Sequence, residues 1–198
     1  MAFFRYGIGF ALMCPFFLQM GAGKLRTRRP GIHIARLILA CVAQVGVYTS
    51  VVYLPLADAT ALAFTRILFT TIIAVIFLRE LVGGSRWAAT FAGFVGVIVM
   101  VRPGGAIDPV VFIAIGAACT FAIANVLIRI MSTTEPPNRI LFYYQAGGIL
   151  VFLPPTIILW QTPPDLISWL MALAIGFLTA IGMIGFIRGF AVGEASVI

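Results

Sequence analysis

The apolar stretches of this chain are each about as long as a bilayer-crossing helix, and short connections containing proline, glycine or charge separate them. A helix needs about 20 mainly apolar residues to cross the hydrocarbon core. Seven stretches approach this length, and the fourth is the shortest: 3–20, 34–53, 57–78, 87–101, 110–130, 140–160 and 166–190. The pattern predicts an all-α polytopic membrane protein, a helix bundle with about seven full spans.

The composition excludes a soluble globular fold. Apolar residues make up 62% of the 198 positions and charged residues only 10%, whereas soluble domains average about 45–50% and 25%. So few charged side chains cannot cover a polar exterior. The net charge of +7 does not indicate nucleic-acid binding, because the basic residues lie between apolar stretches and form no continuous basic face.

The sequence carries no catalytic or metal-binding motif. Cys14, Cys41 and Cys119 lie within apolar stretches and lack the paired spacing of a metal site or a disulfide framework. His33, the single histidine, follows a basic connection and is interpreted as a membrane-interface residue rather than a catalyst. We therefore expect neither an enzyme nor a bound cofactor or metal.

The distribution of lysine and arginine predicts the orientation, because basic residues remain preferentially on the cytoplasmic side. With the amino terminus outside, only Arg5 and Arg102 lie on the outer side. The inner side then holds ten bases: Lys24, Arg26, Arg28, Arg29, Arg36, Arg79, Arg86, Arg129, Arg139 and Arg188. The connection 21–30 is predicted to be cytoplasmic and the connection 162–165 external.

Two pairs of segments indicate an internal duplication. The segment 54–62 aligns with 190–198, which places Asp58 on Glu194 near the start of a helix. Acids at this position complement the helix dipole and the free N–H groups of the first turn, and this capping role is preferred over proton transfer.

A second alignment, at an offset of 139 residues, matches 3–6 with 142–145 and also brings Pro15 onto Pro154. Five predicted spans separate the copies of the first element, so the second copy would be inverted in the membrane. We predict two inverted five-helix repeats: 1–104, without its first helix, and 105–198, without its last two. The chain is accordingly expected to be a fragment or a truncated gene product.

Several short motifs resemble the EamA-type permeases of the drug/metabolite transporter superfamily. These are YLPLADATAL at 53–62, FLRE at 77–80, RW at 86–87, GFVGV at 93–97 and RPG at 102–104. The resemblance implies ten helices in two inverted repeats, the bacterial inner membrane and transport of a small metabolite. The segment LPLADATALAFTRILF is most similar to the subgroup that includes S-adenosylmethionine and riboflavin carriers, although that subgroup has proline in place of Ile67.

Polar side chains within the predicted spans are candidates for a substrate site. In hydrocarbon such groups need partners in the protein or a wet cavity, so they are expected to face the bundle interior. The candidate substrate-binding residues are Arg66, Gln44, Tyr48, Thr70, Asn125, Tyr144 and Gln145. Hydrogen bonding between helices, without substrate contact, is the alternative interpretation, in particular for Gln44 and Asn125.

Arg66 is the charged residue within this set. It lies nine residues into its span, roughly 13 Å from the outer end, where a charge costs about 2.5 kcal/mol or more. No acid occurs at mid-span to pair with it. Arg66 is expected either to donate hydrogen bonds to carbonyls and to Gln44, Asn125 or Gln145, or to bind an anionic part of the substrate.

Together these observations predict a secondary transporter that moves a small polar or anionic metabolite by alternating access, in contact with membrane lipid. The alternatives are a non-transporting scaffold or assembly subunit and an inactive truncated remnant. Gly185, Gly189 and Gly193 recur at a spacing of four, which predicts close helix packing within the monomer or in a homodimer.

Overall fold

The computed structural model describes residues 2–20, 25–27, 29–79, 82–101, 108–160, 162 and 165–192. Over these ranges the chain forms seven α-helices and no β-strand. The helices are α1 (Ala2–Met20), α2 (Pro30–Tyr53), α3 (Leu56–Leu78), α4 (Gly84–Val101), α5 (Pro109–Ser132), α6 (Pro137–Ile158) and α7 (Leu166–Val192). The all-α fold predicted from the apolar stretches is confirmed.

Six of these helices, α2 to α7, are long and apolar enough to cross a membrane. Such helices satisfy every interior backbone N–H and C=O within one segment, which the hydrocarbon core requires. The prediction of a multi-pass membrane protein is therefore confirmed.

Acidic side chains begin two of the helices. Asp108 accepts a hydrogen bond from the backbone N–H of Val110 at 2.8 Å, and Asp165 accepts one from Ser168 at 2.9 Å. Each carboxylate satisfies a backbone donor that has no partner inside its helix. Hydrogen bonds from the side chain and the backbone of Ser168 also hold the pKa of the Asp165 carboxyl below its usual value.

Asp58 lies in the first turn of α3, as its predicted role at a helix start requires. The N-cap residue is Pro55, and no side-chain hydrogen bond caps this helix. Of the capping role predicted for Asp58, the described residues thus show no hydrogen bond to a free N–H group, and only its charge near the positive end of the helix dipole remains. The equivalent Glu194 lies outside the described residues.

Hydroxyl groups inside the apolar helices bond to their own backbone. In each case the hydroxyl donates to a carbonyl three or four residues earlier, as for Ser50 to Gly46 at 2.7 Å and Thr179 to Ile175 at 2.6 Å. The same pattern occurs at Thr49, Thr60, Thr65, Thr70, Thr71, Thr90, Thr120 and Thr156. These side chains need no partner on another helix.

The chain divides into two compact units. The first combines Met1–Leu37 with Met131–Val192, and the second consists mainly of Ile38–Ile130. In the first unit, α1 packs against α6 and α7 through aromatic side chains. In the second, Leu54, Ala59, Leu62 and Ala114 form a buried core. The first unit contains helices from both predicted repeats, because compact units reflect packing rather than sequence duplication.

Glycines allow close helix contacts at several points. A Cβ atom built on Gly148 of α6 would clash with the Tyr6 ring of α1, and one built on Gly93 of α4 would clash with Leu68 of α3. Positions that lack a side chain let two helix backbones approach closely. Gly185, predicted as a packing position, has no neighbouring atom within 4 Å of such a Cβ, and Gly193 lies outside the described residues.

We predict that Gly148→Ala destabilises the protein by about 1–3 kcal/mol, because the added methyl group forces the buried Tyr6 ring to move. The melting temperature in mild detergent should fall by several degrees. Gly182→Ala is the matched control, since a Cβ there meets nothing within 4 Å. Equal melting temperatures for the two variants would contradict the tight contact between α1 and α6.

We further predict that position 162 is external and position 26 cytoplasmic. Arg26 precedes α2, and Thr162 follows α6, a helix of 22 residues that is about 33 Å long. In a background with the three native cysteines replaced, Thr162→Cys should react with an impermeant maleimide on intact cells. Arg26→Cys should react only after permeabilisation, and the reverse pattern would invert the topology.

Candidate functional site

Two tyrosines and two arginines meet in the first unit, and we call Arg5, Tyr6, Arg36 and Tyr144 the tyrosine–arginine cluster. All but Arg5, which is half-buried, are buried. Tyr6 of α1 is 1% exposed, and its hydroxyl donates to the Tyr144 hydroxyl of α6 at 3.2 Å. The two rings meet edge to face, with centroids 5.1 Å apart. Tyr6 packs over Gly148, near the middle of α6, so the cluster lies deep within the length of this helix.

Arg36 of α2 is the most deeply buried charge of the cluster, at 3% exposure. Its guanidinium carbon lies 4.5 Å from the centroid of the Tyr144 ring. Its Nε atom has no hydrogen-bond partner among the described residues. Burial of a charge without an opposite charge is unfavourable, so Arg36 is a candidate for binding something that the protein chain does not supply.

Arg5 brings a second positive charge to the same tyrosines. Its Nη2 atom donates to the Tyr144 hydroxyl at 3.3 Å, and its guanidinium carbon lies 4.7 Å from the centroid of the Tyr6 ring. Two guanidinium groups therefore converge on two phenols, an arrangement that suits a ligand with negative charge or hydrogen-bond acceptors.

Two residues of this cluster occupy aligned positions in the predicted duplication. The offset of 139 residues that aligns 3–6 with 142–145 places Arg5 on Tyr144, and the structure brings these two side chains into contact. Arg36, in contrast, counts as one of ten inner-side bases in the sequence. The structure buries it in the second turn of α2, and its position among apolar residues 34–40 is the signal that identifies it.

Two of the predicted site residues belong to the first unit. Tyr144 is 6% exposed and forms the centre of the tyrosine–arginine cluster. Gln145, at 3% exposure, follows it on α6 and packs against Gly9 of α1. Sequence reasoning did not identify Tyr6, Arg5 or Arg36 as site residues.

The other five predicted site residues belong to the second unit, and three of them are buried. Gln44, Thr70 and Asn125 are 5–6% exposed. The Thr70 hydroxyl donates to the Arg66 carbonyl at 2.7 Å, so its own helix uses this donor. Tyr48 is 37% exposed.

The Arg66 side chain was expected to face the bundle interior, but it is exposed. Its guanidinium carbon lies 5.7 Å from the centroid of the Phe121 ring of α5. The face of α3 that carries Arg66 is thus not covered by neighbouring helices of this unit. Ile67, also on α3, is 50% exposed, and the helix continues from Leu56 to Leu78 without a proline.

An apolar groove of about 370 Å³ lies between α3 and α4 in the second unit. Its lining is aliphatic and aromatic except for Thr65, whose hydroxyl donates to the Leu62 carbonyl. The groove therefore directs no free polar group at a ligand. It does not have the mixed apolar and polar lining of a metabolite site.

The buried carboxylate of Glu135 lies in the connection between α5 and α6. It contacts the segment before α2, the first turn of α2 and the first turn of α6. It accepts hydrogen bonds from Thr27 at 2.6 Å and from Arg139 at 2.9 Å. The His33 Nε2 atom lies 3.8 Å from the same carboxylate. Burial raises the pKa of the Glu135 carboxyl, but the hydrogen bonds from Thr27 and Arg139 and the nearby positive charges outweigh it and hold this pKa below its usual value.

His33, in the first turn of α2, is part of this buried contact. It is 5% exposed, and its ring lies 4.4 Å from that of Tyr143. The sequence places His33 beside the basic connection 21–30 but does not show that Glu135, 102 residues later, folds against it.

We predict that Glu135→Gln lowers the free energy of unfolding by about 1–3 kcal/mol at neutral pH, because two charge-dependent hydrogen bonds are weakened. A carboxyl whose pKa is lower in the folded than in the unfolded state stabilises the fold fully at pH values above its unfolded pKa, which is about 4.3. This stabilisation is lost as the pH falls through the folded pKa. The difference in melting temperature between wild type and variant should therefore be full above about pH 5 and shrink in stronger acid.

Asp58→Asn is the control for this prediction, since it makes the same change of charge at a residue whose helix has no side-chain cap. A wild-type advantage over Glu135→Gln that grows as the pH falls below 4 would contradict the proposed stabilisation of the ionised carboxylate.

Comparison with known proteins agrees with the membrane-spanning fold. The sequence profile of the EamA-like transporter family matches residues 1–102. A riboflavin transporter from Vibrio cholerae is 28% identical over 202 residues, which cover 98% of this chain and 66% of that protein. An S-adenosylmethionine uptake transporter from Rickettsia prowazekii is 31% identical over 163 residues, which cover 82% of this chain and 55% of that protein.

A pseudopaline exporter from Pseudomonas aeruginosa is 27% identical over 201 residues, which cover 99% of this chain and 69% of that protein. The chain thus spans between about half and two thirds of the length of the curated relatives it matches. These relatives are named as transporters, so the prediction that the chain is not an enzyme is confirmed. The family match confirms the resemblance read from the motifs: the chain belongs to the EamA-like transporter family.

Proposed function

We propose that this chain carries a small polar or anionic metabolite across the membrane as a secondary transporter that works by alternating access. Membership in a transporter family supports the transport activity. The names of three relatives, which refer to riboflavin, S-adenosylmethionine and pseudopaline, support a metabolite of moderate size. They include both uptake and export, so they leave the direction of transport open.

The observation that carries this proposal is the tyrosine–arginine cluster. Ionisable side chains within membrane helices are costly, and where they occur they mark binding sites and transport pathways. Arg36 is buried in α2, and Tyr6 and Tyr144 are buried in α1 and α6. Aromatic walls with a few directed polar groups are the usual lining of a site for a small organic molecule.

The position of the cluster in the predicted repeats supports the same proposal. Tyr6 and Arg5 belong to repeat 1–104, and Tyr144 belongs to repeat 105–198. Inverted-repeat transporters hold their substrates near the bilayer midplane where the two repeats meet. Contact between Arg5 and Tyr144, which occupy aligned positions, is expected where a pseudo-two-fold axis passes between α1 and α6.

The polar residues that the sequence predicts as substrate contacts within the second unit are a separate proposal. Gln44 and Asn125 are buried amides in α2 and α5, and Tyr48 and Arg66 are exposed. An exposed guanidinium near an aromatic ring retains free donors for an anionic group.

The proposal is tested by uptake of radiolabelled riboflavin and S-adenosylmethionine into proteoliposomes that contain the full chain. Tyr144→Phe removes the hydroxyl that accepts hydrogen bonds from Tyr6 and Arg5. This hydroxyl positions Arg5 and Tyr6 in the cluster, so its loss should lower kcat/KM for uptake about tenfold.

Tyr53→Phe is the matched control, because this tyrosine is 69% exposed at the end of α2. It should leave uptake unchanged at equal protein content. Absence of uptake of both compounds would contradict transport of such metabolites and favour the scaffold alternative. Equal uptake by wild type and Tyr144→Phe would instead show that the tyrosine–arginine cluster is not the substrate site.

A further inference from the structure

We infer that Arg36 binds a carboxylate group of the ligand, and that it does so through the Nε edge of its guanidinium. This inference rests on the proposed function, because the ligand would be the transported metabolite. It adds the chemical class of the group recognised and the residue that recognises it.

The face and the Nε edge of the Arg36 guanidinium have different surroundings. Arginine donates hydrogen bonds in the plane of the group, whereas a cation–π contact uses the face. The guanidinium carbon lies over the Tyr144 ring at 4.5 Å, so this contact occupies one face. The Nε–H donor in the plane is buried and has no partner among the residues that the structure describes. This buried Nε–H can therefore donate a hydrogen bond to an acceptor atom of a bound ligand.

The acids of the first unit are committed to other contacts. Glu135 accepts from Thr27 through Oε1 and from Arg139 through Oε2. Asp165 accepts the Ser168 N–H at the start of α7. The ion pairs formed by described residues of this unit do not include Arg36. A buried cation recovers only part of its lost hydration from a cation–π contact, so an anionic ligand is favoured.

The buried Nε edge of the Arg36 guanidinium suits an oxyanion. The Nε–H and one Nη–H of arginine are parallel and match the two oxygens of a carboxylate in a bidentate pair. A phosphate can pair with the same edge, so the preference for a carboxylate comes from the flat aromatic surface around it. Tyr6 and Phe152 stack at 5.5 Å with an interplanar angle of 16°, which adds flat aromatic surface beside the phenols. A flat, carboxylate-bearing molecule suits these walls.

The experiment compares benzoate with benzamide, two molecules of the same shape of which only benzoate carries a charge. The full chain is purified in lipid nanodiscs, and its melting temperature is measured against the concentration of each compound. Benzoate at ten times its Kd should raise the melting temperature by about 4 °C, and benzamide at the same concentration should not.

Arg36→Lys retains the charge but removes the bidentate edge, so it should weaken benzoate binding at least tenfold. Arg26→Lys, the same substitution at an exposed residue before α2, should leave benzoate binding unchanged. If Arg36→Lys does not yield a monodisperse protein, the difference between benzoate and benzamide in the wild type decides the question.

Equal stabilisation by benzoate and benzamide, or unchanged benzoate binding in Arg36→Lys, would overturn the inference. Stronger stabilisation by inorganic phosphate than by benzoate would overturn the choice of a carboxylate. Benzoate binding that depends on Arg36, in a protein that takes up neither riboflavin nor S-adenosylmethionine, would support the carboxylate site while contradicting the proposed transport. If the protein takes up either metabolite equally well with Arg36→Lys, and benzoate does not raise its melting temperature, the carboxylate site is contradicted but the proposed transport is not.

Discussion

The structure depends on one constraint, the absence of water in the hydrocarbon core, which makes a polar group without a partner in the protein costly. Continuous helices satisfy the backbone, and ten serine and threonine side chains return their hydroxyls to carbonyls of the same helix. Glu135 is satisfied by Thr27 and Arg139. With so many polar groups locally satisfied, a buried group without a partner stands out.

Arg36 is such a group, and its surroundings explain how the fold retains it. The Tyr144 ring covers one face of its guanidinium, and the hydroxyls of Tyr6 and Tyr144 bond to each other beside it. These contacts hold the charge in position without neutralising it. A buried charge that is not neutralised lowers the stability of the fold but keeps a donor available for a ligand. This is characteristic of buried charges in transport proteins.

Much of the fold follows from local sequence. Each apolar stretch became a helix within a few residues of its predicted bounds, since hydrophobic length and the proline, glycine and acidic boundaries act within one segment. The candidate site was only partly predictable. Tyr144 and Gln145 were identified as buried polar residues, whereas Arg36 was counted with the interfacial bases and Arg66, expected inside the bundle, is exposed.

The sequence by itself determined that the chain is an all-α membrane protein, because the cost of placing charge and free backbone groups in lipid depends on composition and length alone. Only the tertiary structure decided which polar residues meet and which remain without a partner. Arg5 and Tyr144 are separated by 139 positions, and Thr27 and Glu135 by 108. Contacts over such separations depend on how helices pack, and packing also decides that Arg36 is enclosed while Arg66 is not.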